Sequence, residues 1–155
     1  MSSVVDLYGM NEEELVDHAC RFGLETDKEN LPSVLKALGL LLEKYPVRGI
    51  VMHTKDYAMY FGQKLPNINM EKGLTIGNLM AATRARTGRY GTYQDCSDSM
   101  ELPLSAEGIR FAEELQRMDI ADYVCIVPSR YMEHPKYTIG LGDTFMAGCL
   151  TALIR

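Results

Sequence analysis

The sequence predicts an α/β fold, a mostly parallel sheet flanked by helices. Short apolar and β-branched runs alternate along the chain with stretches whose apolar residues recur at helical spacing. No repeat, low-complexity tract or linker interrupts that alternation, so residues 1–155 are expected to form a single α/β domain. With 46% hydrophobic and 24% charged residues, the 155-residue chain has the composition and length to bury a real core.

Val4 to Leu7 reads as a buried strand that stops at Gly9. Asn11 then opens a helix through Leu15, Val16, Ala19, Cys20 and Phe22, closed by Gly23. A second helix runs from Leu31 to Lys44, with Val34, Leu35, Leu38, Leu41 and Leu42 as its apolar face. Gly49–His53 is the next strand, and Tyr57–Phe61 reads as another close behind it. A third helix spans roughly Glu71 to Thr87, bounded by Gly88. Arg89 to Ser99 is polar and follows Gly88 and contains Gly91, which predicts a loop. Ser105 caps a helix reaching Met118, Tyr123–Val127 is a strand, and Asp143 to Ile154 is the last helix. Strands alternating with helices imply βαβ units, and an open edge of such a sheet would invite pairing with a second copy.

The net charge of −5 argues against nucleic-acid binding, which needs a basic excess to displace counterions from the phosphate backbone. A small anion is still allowed, since a few backbone amides hold a phosphate inside an acidic protein. No apolar run approaches the roughly 18 residues of a membrane helix. Met1-Ser2-Ser3 also lacks the plan of a signal peptide, so a cytoplasmic location is expected. Cys20, Cys96, Cys125 and Cys149 have no CxxC spacing, and we read them as buried thiols of a reducing compartment.

The segment Thr138-Ile139-Gly140-Leu141-Gly142-Asp143-Thr144 carries the chemistry. Its two glycines let the backbone approach a ligand, and they lead into a helix whose first amides point at any anion placed there. A carboxylate in that turn suits phosphoryl transfer: the amides neutralise the transferred group while Asp143 accepts the acceptor hydroxyl's proton. The alternative is a plain helix N-cap at Asp143. A second signal, Asn11-x-x-Glu14, has the spacing of a capping box. The same pair, one turn apart, suits a hydrated Mg²⁺, which takes few direct protein ligands.

GMNEEEL after a strand, then IVMHTKDYAM, a helix containing MAATRA, and IVPSRYMEHPKYTIGLGDTFMAG resemble the ADP-dependent glucokinase and phosphofructokinase family of ribokinase-like sugar kinases. The resemblance runs in order over nearly the whole chain, and NxxE with HTKDYA makes it more specific than GxGD alone. It implies a ribokinase-like fold and phosphoryl transfer from ADP to a sugar or sugar phosphate. By that resemblance Asp143 is the general base, Gly140, Leu141 and Gly142 form the anion hole, and Thr138 adjoins the nucleotide phosphates. It places Asn11 and Glu14 at Mg²⁺. Family members are far longer, with a lid and most sugar contacts upstream of NxxE. The family's HxE motif is absent here, because His18, His53 and His134 are not followed by glutamate at that spacing. The chain is therefore expected to be inactive alone. An ATP-dependent ribokinase-like kinase and a non-catalytic nucleotide-binding module are the rival readings.

Three further groups have both a structural and a functional reading. His53 follows a strand and is either packed or reaches a ligand at the sheet's C-terminal edge. Arg84, Arg86 and Arg89 are a solvated face or contact nucleotide phosphates. Tyr131, Met132 and His134 line an adenine pocket or simply belong to a loop.

Overall fold

Asn11 sets the first element. Its side chain accepts from Glu14 N at 2.9 Å, and Glu14 Oε2 accepts from Asn11 N at 2.8 Å. This reciprocal box starts helix α1 (Glu12–Arg21) directly behind strand β1 (Leu7–Met10). The structure, a computed structural model, describes residues 5–152. Asn30 and a proline in the first turn start α2 (Leu31–Lys44). Strands β2 (Gly49–His53) and β3 (Tyr57–Gly62) follow. Then come α3 (Met70–Thr87), α4 (Tyr93–Met100) and α5 (Ala106–Leu115). Strand β4 (Tyr123–Pro128) and helix α6 (Leu141–Leu150) complete the described elements.

The sheet order is β1-β2-β3-β4. Side chains of β2 and β3 alternate between two cores, as the two-residue period of a strand requires. Ile50, Met52, Tyr57, Met59 and Phe61 pack with α1, α2 and α5. Val51, Ala58 and Tyr60 pack with α3 and α6 on the opposite face. This is the expected α/β class with helices on both faces.

The pairing is mixed rather than mostly parallel. Strand β1 pairs parallel to β2 through the crossover of α1 and α2. Strands β2 with β3, and β3 with β4, are antiparallel. Only Thr54, Lys55 and Asp56 separate β2 from β3, and a parallel connection needs about a dozen residues or more.

Other boundaries moved for identifiable reasons. Strand β1 starts at Leu7 and runs through Gly9, which pairs with Val51; Val4 lies outside the described residues. Residues 93–100 form α4 rather than a loop, because Thr92 and Asp95 make a second capping box. Helix α5 ends at Leu115 instead of Met118. Helix α6 begins at Leu141, with Ile154 outside the described residues. Of the four thiols only Cys149 is buried; Cys20 is exposed, and Cys96 and Cys125 are intermediate. Burial pushes the Cys125 thiol up to about 11 and Cys149 up to about 12, so both stay protonated.

Glycines bring α3 and α6 together. A Cβ on Gly148 would lie 2.8 Å from the Gly77 Cα, and one on Gly77 would lie 2.7 Å from Cys149 Sγ. That close backbone approach fixes where the N-terminus of α6 sits over the sheet.

Candidate active site

Gly140 caps α6 in the left-handed conformation, φ +72°, and no side chain bonds to the first amides. Those amides are therefore free for an outside acceptor. Asp143 is not the N-cap: it occupies the third helical position, exposed, and its carboxylate takes part in no hydrogen bond or ion pair among the described residues. The plain capping role therefore fails for this residue. Nothing lies within 4 Å of a Cβ placed on Gly142, which leaves room beside the turn.

Two adjoining cavities meet at this turn. The first, of about 340 Å³, is walled by Asn11, Glu14, His53, Gly142, Asp143 and Phe145, so it joins NxxE to GLGD. Capping engages Glu14 Oε2, while no bond occupies Oε1 among the described residues. The second cavity, of about 300 Å³, has Ala81, Ala82 and Ala85 of α3 on one side and Thr138 and Leu141 on another. Tyr131 and Met132 also line it; His134 is exposed and outside its wall.

His53 lines both cavities. Its ring stacks on Phe145, with centroids 4.3 Å apart and planes 12° from parallel. Burial lowers its pKa to about 4, so the imidazole is neutral near pH 7. It is thus packed and also faces the cavities.

A buried polar cluster supports the second cavity. Thr54 Oγ1 accepts from Asp56 N at 3.1 Å and Tyr57 N at 3.0 Å, which fixes the β2–β3 turn. Ser105 Oγ donates to Asp56 Oδ1 at 2.7 Å and ties that turn to α5. Asn78 Nδ2 donates to the Val127 carbonyl at 3.2 Å, and Ser129 Oγ lies 3.3 Å from Asn78 Oδ1. Asn78 and Ser129 escaped the sequence reading. The small-residue run of α3, with alanines at 81, 82 and 85, is the local signal that space is kept there.

The three arginines part company. Arg86 donates to Ser99 Oγ at 3.1 Å and the Asp95 carbonyl at 2.8 Å, and Arg89 donates to Asp95 Oδ2 at 3.3 Å. Both serve α4. Arg84 instead lies under Tyr90, 4.6 Å from the ring centroid, and a Cβ on Gly140 would be 3.5 Å from its Nη2. Its Nε is buried without a hydrogen-bond partner.

Nucleotide-sized cavities, free helix amides and an unpaired carboxylate define an α/β module suited to phosphoryl chemistry. The same fold occurs in a hypothetical ADP-dependent phosphofructokinase from Pyrococcus horikoshii OT3, with a TM-score of 0.79 at 23% identity. That likeness covers 96% of this chain and 36% of the other. The chain belongs to the ADP-specific phosphofructokinase/glucokinase family, whose conserved region matches residues 1–152. An ADP-specific phosphofructokinase of Thermococcus litoralis is 27% identical over 165 residues, covering 97% of this chain and 36% of that protein. An ADP-dependent glucose/glucosamine kinase of Pyrococcus abyssi is 28% identical over 161 residues, covering 98% of this chain and 34% of that protein. The chain thus spans about a third of the length of these relatives. Among the described residues no helix is long and apolar enough to cross a membrane.

Proposed function

We propose that this chain is the nucleotide-binding and base-carrying part of an ADP-dependent sugar kinase. The observation that carries the reading is the shared cavity of NxxE and GLGD, with an unpaired Asp143 carboxylate beside the uncapped amides of α6. The names of the relatives favour ADP as donor, with glucose or fructose 6-phosphate as acceptor class.

Asp143 accepts the proton of the acceptor hydroxyl as that oxygen attacks the terminal phosphoryl group. The amides of Leu141, Gly142 and Asp143 stabilise the charge on the equatorial oxygens as the bond to the leaving phosphate breaks. Arg84 adds a positive charge behind Gly140. The nucleoside end lies along the Thr138 and Leu141 wall, against the alanine face of α3. Neutral His53 separates the two ends without adding charge.

Among the described residues no group of three or more His, Cys, Asp or Glu side chains is disposed to hold a metal. The spare oxygen of Glu14 and the nearby Asp143 suit a cation that keeps most of its waters, so Mg²⁺ fits. Glu14, with Asn11 through water, would hold it, and when bound it would neutralise charge between the phosphates.

Calorimetric titration with ADP, with and without Mg²⁺, tests the reading on this chain. Saturable binding is expected; Glu14→Gln should keep the cap and melting temperature but lose most of the Mg²⁺ effect. In any form of the protein that turns over, Asp143→Asn should lower turnover ~10²–10⁴-fold with ADP affinity little changed. Failure of the chain to bind ADP, or near-normal turnover of Asp143→Asn, would sink the proposal.

A further inference from the structure

The second cavity has polar residues set into its apolar wall. Asn78 shares one face of α3 with Ala81, Ala82 and Ala85, and all four line the space. Thr54, just past β2, and Ser129, just past β4, line it too. Asn78 is 4% exposed, Thr54 5% and Ser129 6%. Polar groups this deep in a cavity wall need a partner for each donor and acceptor.

The donors fall one short. Asn78 Nδ2 donates to the Val127 and Pro128 carbonyls, at 3.2 and 3.4 Å. Its Oδ1 and the Thr54 carbonyl oxygen both depend on Ser129 Oγ, which lies 3.3 and 3.4 Å from them. No other donor reaches either oxygen among the described residues. A hydroxyl has a single proton, so one of the two oxygens is always unmet. The cations in the wall do not supply the missing donor: the Lys55 side chain is 85% exposed, and Arg130 Nη1 donates to the Leu102 carbonyl. The Thr54–Asp56 turn also walls a third cavity, of about 370 Å³, on the α5 side. Asn78 and Ser129 do not line that space, so the unmet oxygen belongs to the second cavity.

Its position along α3 matches the far end of a nucleotide. Arg84 lies beside Gly140 at the start of α6, where the phosphates are placed. Asn78 is six residues earlier on the same helix, about 9 Å away along the axis. That span is comparable with the separation of base and terminal phosphate in a nucleoside diphosphate. The alanines between them give a base ring small apolar side chains to lie against. We propose that Asn78, Thr54 and Ser129 read the base of the bound nucleotide and select one that carries an exocyclic amine. An amine N–H donates to whichever oxygen Ser129 leaves free. A base without that N–H leaves the oxygen unmet, and an oxo group in its place draws the Ser129 proton away and leaves both oxygens unmet. This inference rests on the nucleotide reading above and adds to it the residues that choose the base.

The experiment is calorimetric titration of the chain with ADP, inosine 5′-diphosphate and purine riboside 5′-diphosphate, which carry an amine, an oxo group and a hydrogen at carbon 6 of the base. ADP should bind about tenfold tighter or more than either of the others. Asn78→Ala removes one of the competing oxygens and lets Ser129 serve the Thr54 carbonyl, so it should bring the three affinities close together. Ser129→Ala removes the donor and should leave the preference for ADP at least as large. Equal affinities in the parent chain overturn this proposal and leave the nucleotide reading standing, whereas binding of none of the three overturns both. A folded Asn78→Ala variant that keeps the parent's preference also overturns it. If that variant does not fold, Ser129→Ala decides, because loss of the preference there makes the hydroxyl the reader and not the unmet oxygen.

Discussion

Asp143 and Asn11 look alike in the sequence, each a short polar side chain just behind a glycine-bearing segment, yet only Asn11 caps its helix. Gly140 took the N-cap position from Asp143 by entering the left-handed region, which left the carboxylate two residues inside the helix and unpaired. That shift could not be read from residue types, because both arrangements use the same letters. The spacing of Asn11 and Glu14 suits both a cap and a cation, and the two side chains form the capping box through Asn11 Oδ1 and Glu14 Oε2. His53 gives the residue scale its own prediction. The unfolded chain protonates this imidazole below about pH 6.5, whereas the folded chain resists until about 4. Its contribution is therefore complete above pH 6.5 and drains away as pH falls toward 4, by up to about 3 kcal/mol. His53→Gln has nothing to protonate and should flatten that part of the acid limb. Urea midpoints at about pH 7, 5.5 and 4.5 would show it, and parallel acid limbs for the two proteins would refute the assignment.

Among the elements, those with strong apolar period were legible from the chain alone. Helix α2 and strand β2 fall where the sequence placed them, because Val34, Leu35, Leu38 and Leu41 on one, and Ile50, Val51 and Met52 on the other, are all buried. Helix α4 was illegible for the opposite reason. It buries only Ser99, so its signal is the Thr92–Asp95 box and not hydrophobicity. The pairing of α3 with α6 yields a prediction at this scale. Gly→Ala inside a helix normally stabilises by roughly 1 kcal/mol. At Gly77 a methyl would meet Cys149 Sγ and Phe145 Cδ2 at 2.7 Å each, so Gly77→Ala should instead destabilise by about 1–3 kcal/mol. Equilibrium urea unfolding measures the difference, and a variant as stable as the parent would show that the two helices can slide apart.

For the molecule as a whole, the α/β class followed from alternating elements, but strand direction did not. The three-residue connection at Thr54, Lys55 and Asp56 carried that information, and it outranks the general expectation of βαβ units. The convergence of NxxE with GLGD, residues more than a hundred positions apart, was foreseeable only through family resemblance, since no local pattern brings them together. With no HxE motif and about a third of its relatives' length, this chain alone should show sugar kinase turnover below detection in a coupled assay. Turnover at ordinary kinase rates would mean that positioning needs no more than these residues. The Thr54–Asp56 turn has a thermodynamic consequence of its own. It is a common wall between two cavities on opposite faces of the sheet, anchored by Thr54 on one side and by Ser105 on the other. Any occupant that shifts this wall changes the binding free energy across it, and the effect is equal in the two directions.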